Sequence, residues 1–261
     1  MPAWLDPVLI PLSASTLAIF GVIATLWLRW LLRVHWRGRS LARVARALGT
    51  TIHRGEAPHV ASMLPQFSPR DGAPGRAAYN TISFQCPVGE VRYAVVMGDW
   101  GVAPRSDGLD RAAGGAIGGS FLAANLRLRK LPVIIIVTRR LARRLQRSWK
   151  RRILSLFHVH VSEALQHYET GLDGFDLTYA VYTDDAAGAR TLLTIDLLRH
   201  ILSDPPLRLS IEGGWLLIDD GARRWSRRRF GQRLEWFERF AQHWPRWAAE
   251  RDRAPSASFA A

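Results

Sequence analysis

A chain of 261 residues that is 48% hydrophobic and carries 10 Phe, 5 Tyr and 11 Trp is long and apolar enough to bury a core, which excludes a disordered polar segment. Its 36 basic residues against 22 acidic ones leave a net charge of +14, and all but Lys130 and Lys150 of the basic residues are arginines. Such a charge suits an anionic partner without choosing between nucleic acid and lipid. The single cysteine, Cys86, excludes an internal disulfide and any cysteine-built zinc site.

Residues 7–28 read PVLIPLSASTLAIFGVIATLWL, with no charge between Asp6 and Arg29. A helix rising about 1.5 Å per residue needs roughly 20 such residues to cross a bilayer core, so the run predicts one transmembrane helix. Pro7 and Pro11 fall in its first turns, and Trp4, Trp27, Trp30 and Trp36 stand near its ends, where amphipathic rings favour the headgroup zone. Arg29, Arg33, Arg37, Arg39, Arg43 and Arg46 follow the span and no basic residue precedes it, which predicts residues 1–6 outside and the domain in the cytoplasm. A cleaved signal peptide has its basic residues before the apolar run.

Residues 29–50 predict a basic juxtamembrane helix with Leu41, Val44, Ala45 and Leu48 on one face and Gly49 as its C-cap. Its arginines suit anionic headgroups or form a solvated basic face. Residues 54–78 are rich in Pro, Gly and Ala and read as loop with a short helical stretch near residues 59–64. YNTISFQC and VRYAVVMGDW then predict a β-hairpin about residues 87–90. From Asp99 to Gly119 the pattern breaks. AAGGAIGGSF has no strand leading directly into it and no Gly-Lys-Ser/Thr after it to hold phosphates, so it reads as a flexible connection between strands.

LPVIIIVT at residues 131–138 predicts a strand at the centre of a sheet. An amphipathic helix follows, and its Arg139, Arg140, Arg143, Arg144, Arg147, Lys150 and Arg151 are a candidate contact for anionic lipid; the alternative is a helix packed by its apolar face with the arginines solvated. His158 and His160 share one face of a presumed strand, but no third metal ligand accompanies them. Asp173, Asp176, Asp184 and Asp185 sit where turns ordinarily place carboxylates. No catalytic set, cofactor site or metal site is expected.

FDLTYAVYT predicts a strand, residues 184–188 a turn and helix start, and ARTLLTIDLLRHIL an amphipathic helix stopped by Asp204, Pro205 and Pro206. LRLSIEGGWLLIDD predicts two strands about Gly213 and Gly214. Residues 230–247 predict a helix with Phe230, Leu234, Phe237, Ala241 and Trp244 facing the sheet. Trp225, Trp236 and Trp247, beside Arg223, Arg224, Arg227, Arg228 and Arg229, also suit a membrane interface or stacked bases. The tail at residues 251–261 is small and polar and is expected to be disordered.

The block FDLTYAVYTDDAAGARTLLTIDLLRHIL, then LRLSIEGGWLLI, resembles a pattern of uncharacterised bacterial membrane-anchored proteins, as do the N-terminal span and RGRSLARVARALGTTIHRG. The resemblance implies an inner-membrane protein with a single span and no established activity. The sequence thus predicts an N-terminal transmembrane helix and, over residues 51–250, an α+β domain whose mostly antiparallel sheet is covered by helices. The function expected is a non-enzymatic tethered module that meets lipid or a protein partner. Alternatives are an enzyme drawing on His158, His160, Asp184 and Asp185, or RNA binding through arginine and tryptophan.

Overall fold

The computed structural model describes residues 9–68, 75–102, 117–128, 131–146, 165–204, 206 and 208–245; within these, the backbone alone is described at 9–15, 26, 29–36, 102, 117 and 144–146. Helix α1 (Leu9–Ala47) is one uninterrupted helix of 39 residues. After it come β1 (Ile52–Glu56), α2 (Pro58–Met63), a 3₁₀ turn (Pro65–Phe67), β2 (Arg76–Val88), β3 (Val91–Val102), β4 (Ile117–Asn125), β5 (Ile134–Thr138) and α3 (Arg139–Gln146). The chain continues through β6 (Gln166–Tyr168), α4 (Asp173–Thr178), β7 (Tyr179–Thr183), α5 (Ala186–Leu192), α6 (Ile195–Ser203), β8 (Arg208–Glu212), β9 (Trp215–Asp219) and α7 (Arg227–His243).

The nine strands among the described residues form one sheet in the order β1-β2-β3-β4-β9-β8-β5-β7-β6, and every neighbouring pair is antiparallel. The architecture is α+β with a large antiparallel sheet and helices. Alternation along each strand divides the core between two faces. Leu216 and Ile218 of β9, with Ile134 and Ile136 of β5, pack under the second half of α1 and under α4, α5, α6 and α7. Trp215 and Leu217 turn to the other face with Phe67, Trp100 and Phe121, while Ile135 and Val137 meet Ala142 of α3.

Several elements fall as the sequence predicts. The β2–β3 hairpin closes with Val88 opposite Val91, and the β8–β9 hairpin with Glu212 opposite Trp215 across Gly213 and Gly214, both at positive φ. β5 is paired on both sides, by β8 and β7. Gly49 at φ +66° ends α1, with Thr50 N–H donating to the Ala45 carbonyl at 2.9 Å.

Other elements depart from the sequence pattern. Residues 54–78, read as loop, contain the end of β1 and the start of β2. The strand predicted over residues 175–183 is split: residues 173–178 form α4 and only Tyr179 onward pairs. The helix expected across residues 189–202 is two helices, because Thr194 stops one and caps the next, its hydroxyl accepting from Leu197 N–H at 3.4 Å. β3 runs on through Asp99, Trp100 and Gly101 to Val102, and the glycine stretch enters β4.

Close packing explains those glycines better than flexibility does. A Cβ on Gly118 would lie 2.5 Å from the Trp100 ring, and one on Gly119 would lie 2.0 Å from the Gly221 carbonyl oxygen. Gly119→Ala is therefore expected to lower stability by about 1–3 kcal/mol or more, with backbone rather than a flexible side chain in the way. Chemical denaturation of the full chain measures this, and an unchanged midpoint contradicts the packing.

Among the described residues no helix is long and apolar enough to cross a membrane. Over the apolar part of α1 the described side chains are 16–25, 27 and 28, and Leu17, Ile19, Phe20, Val22, Ile23, Trp27 and Leu28 among them are all exposed, at 55–72%.

Candidate functional site

One end of the sheet collects charge that is buried. β2 starts there at Arg76, β3 leaves through Asp99, β4 enters at Ser120, β9 ends at Asp219 and β8 starts at Arg208, and all five side chains are at most 4% exposed. Helix α1 meets this end through Arg37. The Arg37 Nε donates to Asp99 Oδ2 at 2.9 Å, and its Nη2 donates to Asp99 Oδ1 and, at 2.7 Å, to Ser120 Oγ. Its Nη1 donates to the Trp225 carbonyl, and its guanidinium carbon lies 5.2 Å from the centre of the Phe230 ring. Ser120 Oγ donates to Asp99 Oδ1 at 2.8 Å and accepts from Trp225 N–H at 2.9 Å. One arginine thus ties α1 to β3, β4 and the entry to α7.

On the opposite face Arg76 Nη1 donates to Asp219 Oδ2 at 3.1 Å, and its guanidinium lies 4.2 Å over the Trp100 ring. Burial pulls the Arg76 pKa below its ordinary value while Asp219 pulls it back up. A guanidinium stays charged through that balance. A third cluster joins α7 to the loops beside it: Arg233, fully buried, meets Asp220 at 2.7 Å and Asp204 at 3.6 Å, and Arg229 meets the same two carboxylates at 3.4 and 3.7 Å.

Paired charges of this kind suit fixing elements in place. Removing one partner of a buried pair leaves the other desolvated and uncompensated, which costs about 3–5 kcal/mol. Asp99→Ala in the full chain is expected to lose that much, and Ser120→Ala, which removes hydrogen bonds with the charged Asp99 and Arg37 and with the Trp225 N–H but strands no charge, about 1.5–3 kcal/mol. Equal small losses in a denaturation series contradict the ranking.

His200 on α6 is a second buried polar group, its Nε2 donating to the Trp236 carbonyl at 3.0 Å. Burial lowers its pKa, with His243 and Arg239 adding to the effect and the Trp236 bond and Asp204 opposing it. Because the folded pKa is depressed, the unfolded chain takes up its proton first as pH falls through about 6.5, so His200 destabilises the fold progressively below that pH. His200→Gln is expected to flatten that part of the stability-versus-pH curve, and an unchanged slope contradicts it.

Among the described residues, neither Asp184 nor Asp185 is gathered into a catalytic cluster. Asp184 Oδ1 accepts from Val133 N–H at 2.8 Å, and Asp185 caps α5 by accepting from Ala187 and Gly188 N–H at 3.0 Å each. Asp176 closes a turn by accepting from the N–H groups of Thr170 and Gly171. Among the described residues no group of three or more His, Cys, Asp or Glu is placed to hold a metal ion. Cys86 is buried, and burial with nearby Glu238 pushes its thiol up to about 11, far from a nucleophile's range. His158 and His160 lie outside the described residues.

Of the proposed lipid-contact residues, Arg140 and Arg143 are exposed on α3, and Arg139 is half-buried, its Nε donating to the Asp176 carbonyl at 2.6 Å. Arg144 falls in α3 with only its backbone described, and Arg147, Lys150 and Arg151 lie outside the described residues. Trp225 and Trp236, considered for membrane or base contacts, are 2% and 0% exposed. Both are core residues of α7 and its entry. Arg37, read as part of the basic face, instead turns inward. Its target Asp99 was legible only as an acid within a run of strand-forming residues.

No family model and no curated protein matches the chain. Among solved structures, the chain is similar to the crystal structure of the mycobacterial trehalose monomycolate transport factor A, TtfA. The likeness covers 80% of this chain and 96% of that one at 11% identity, with a TM-score of 0.50. At that identity it shows a shared fold, the α+β architecture on a large antiparallel sheet.

Proposed function

We propose that this chain is a non-enzymatic interaction module tethered to the bacterial inner membrane by the first part of α1, with residues 1–6 outside and the domain in the cytoplasm. The observation that carries the proposal is the division of α1 into two environments. Leu17, Ile19, Phe20, Val22, Ile23, Trp27 and Leu28 in its apolar stretch are exposed, whereas Leu41, Val44 and Ala45 are buried in the main core and Arg37 is held by Asp99. Seven large hydrophobic side chains turned outward on one helix are unfavourable in water and suited to hydrocarbon.

A non-enzymatic role is supported by what the polar groups do: buried Asp99 and Asp219 face arginines, Asp185 caps α5 and Asp176 closes a turn. The arginines of α3, with those proposed to follow it, are kept as a second, electrostatic contact with anionic lipid. The protein of similar fold is a trehalose monomycolate transport factor; a part for this chain in transport at a membrane is compatible with the tether, without that cargo being assigned to it. RNA binding is the weaker reading, since Trp225 and Trp236 are buried away from any base.

Extraction of membranes with alkaline carbonate tests the tether. The wild-type chain is expected to stay with the bilayer. An Ile19→Asp/Ile23→Asp variant is expected to appear in the supernatant, because each charge near mid-span costs about 2.5–3.5 kcal/mol. Release of the wild-type chain by carbonate overturns the proposal.

A further inference from the structure

The topology fixes which end of the domain follows the anchor. Among the described side chains, helix α1 first meets the sheet through Arg37, at the end where Asp99 and Ser120 lie, and it finishes near Ser83, whose carbonyl accepts from the Thr50 hydroxyl at 3.0 Å. Ser83 pairs with Val96, further along the strands and away from Asp99. Followed backwards from Arg37, α1 therefore leaves past the Asp99 end of the sheet. Leu28, the last residue of the apolar stretch, lies only nine residues before Arg37, about 14 Å along the helix.

Two exposed basic segments open at that same end. The loop from β9 into α7 carries Arg223 and Arg224, and the first turn of α7 carries Arg227 and Arg228, all exposed; the loop is pinned beside Arg37 because the Arg223 carbonyl accepts from Ser120 N–H at 3.1 Å and the Trp225 carbonyl from Arg37. Helix α3 starts there too: β5 ends at Thr138, and its Val137 pairs with Arg208, which pairs in turn with Asp219. Of the acids at this end, Asp99 and Asp219 are buried against Arg37 and Arg76, and the less buried Asp204 and Asp220 meet Arg229 and Arg233. The exposed acids near this end are Glu56 on the edge strand β1 and Asp173 on α4.

We infer that this end of the sheet is a membrane-facing rim, and that Arg223, Arg224, Arg227 and Arg228 bind anionic lipid headgroups beside the point where α1 enters the bilayer. The inference rests on the tether proposed above and adds a contact that the sequence reading of residues 139–151 did not contain. Charge complementarity and nearness act together here. A headgroup layer held within about 14 Å by a continuous helix meets four exposed arginines, and each basic residue near an anionic surface strengthens the contact. Leu177, 79% exposed on α4 next to Arg139, lies at the same end and offers an apolar contact to the interface. The opposite end, with the β2–β3 turn at Gly89 and Glu90, points away from the bilayer.

The test uses the full chain in vesicles of neutral or anionic lipid, with an environment-sensitive fluorophore on Ala222→Cys or, as the distal control, on Glu90→Cys. Cys86 is buried with its thiol pushed up to about 11, so it competes poorly for the label. Quenching by headgroup-labelled lipid is expected to be about threefold or more stronger at position 222 than at 90 in anionic vesicles, and roughly 0.5 M salt is expected to reduce the difference. Changing the four arginines to Gln is expected to abolish the anionic preference while the chain still resists carbonate. Equal quenching at the two positions, in a chain that resists carbonate, overturns the rim and leaves the tether standing. Release by carbonate overturns both. Shielding of position 222 by added RNA with no effect of anionic lipid also overturns the rim and gives those arginines to nucleic acid.

Discussion

Arg37 and Asp99 form the contact on which the rest of the architecture depends. Asp99 is fully buried and the Arg37 side chain is 11% exposed, so neither charge has water to fall back on. Two hydrogen bonds to one carboxylate define both position and direction, which a purely apolar contact does not. Placed where β3, β4 and the entry to α7 meet, the pair fixes where α1 crosses the sheet. Below it, Leu41, Val44 and Ala45 supply the apolar burial that holds the helix down.

Because α1 is continuous from Leu9 to Ala47, this local lock acts at a distance. There is no loop between the exposed apolar stretch and the docked stretch, so whatever holds the first part of the helix also sets the orientation of the sheet. The same arrangement sorts the arginines. Arg37, Arg76 and Arg233 go inward to aspartates and aromatic rings, whereas Arg223, Arg224, Arg227 and Arg228 stay outside. Buried aspartates take part in the sorting, since each one engaged by a core arginine leaves the nearby surface more positive. The first turn of α7 holds three arginines and no acid, an arrangement the helix dipole disfavours, and Asp204 and Asp220 offset it at Arg229.

Much of the fold was legible wherever periodicity and turn chemistry agree. The hairpins at residues 89–90 and 213–214, the buried strand IIIVT and the apolar face of α7 follow directly from alternation, glycine at positive φ and helical spacing. The failures share a cause, which is contact between residues distant in sequence. Gly118 and Gly119 looked flexible because nothing local reveals that Trp100 and Gly221 press against them. Asp99 looked like the end of a strand because its partner lies 62 residues away. Thr194 looked like an ordinary helical position, although its hydroxyl caps the following helix. The candidate site was less legible still: the α3 arginines were visible as a run of like charge, but only the strand order brings them to the same end of the sheet as residues 223–228.

The central claim is that the apolar stretch of α1 and the sheet move as one body. Spin labels at Ala24 and Glu90 in the full chain, reconstituted in a bilayer, measure that through the distribution of distances between them. A continuous helix locked by Arg37 and Asp99 predicts one narrow distribution that broadens when Asp99 is replaced by alanine. A broad distribution in the unaltered chain contradicts the account, because it requires a hinge between the exposed and the docked parts of α1.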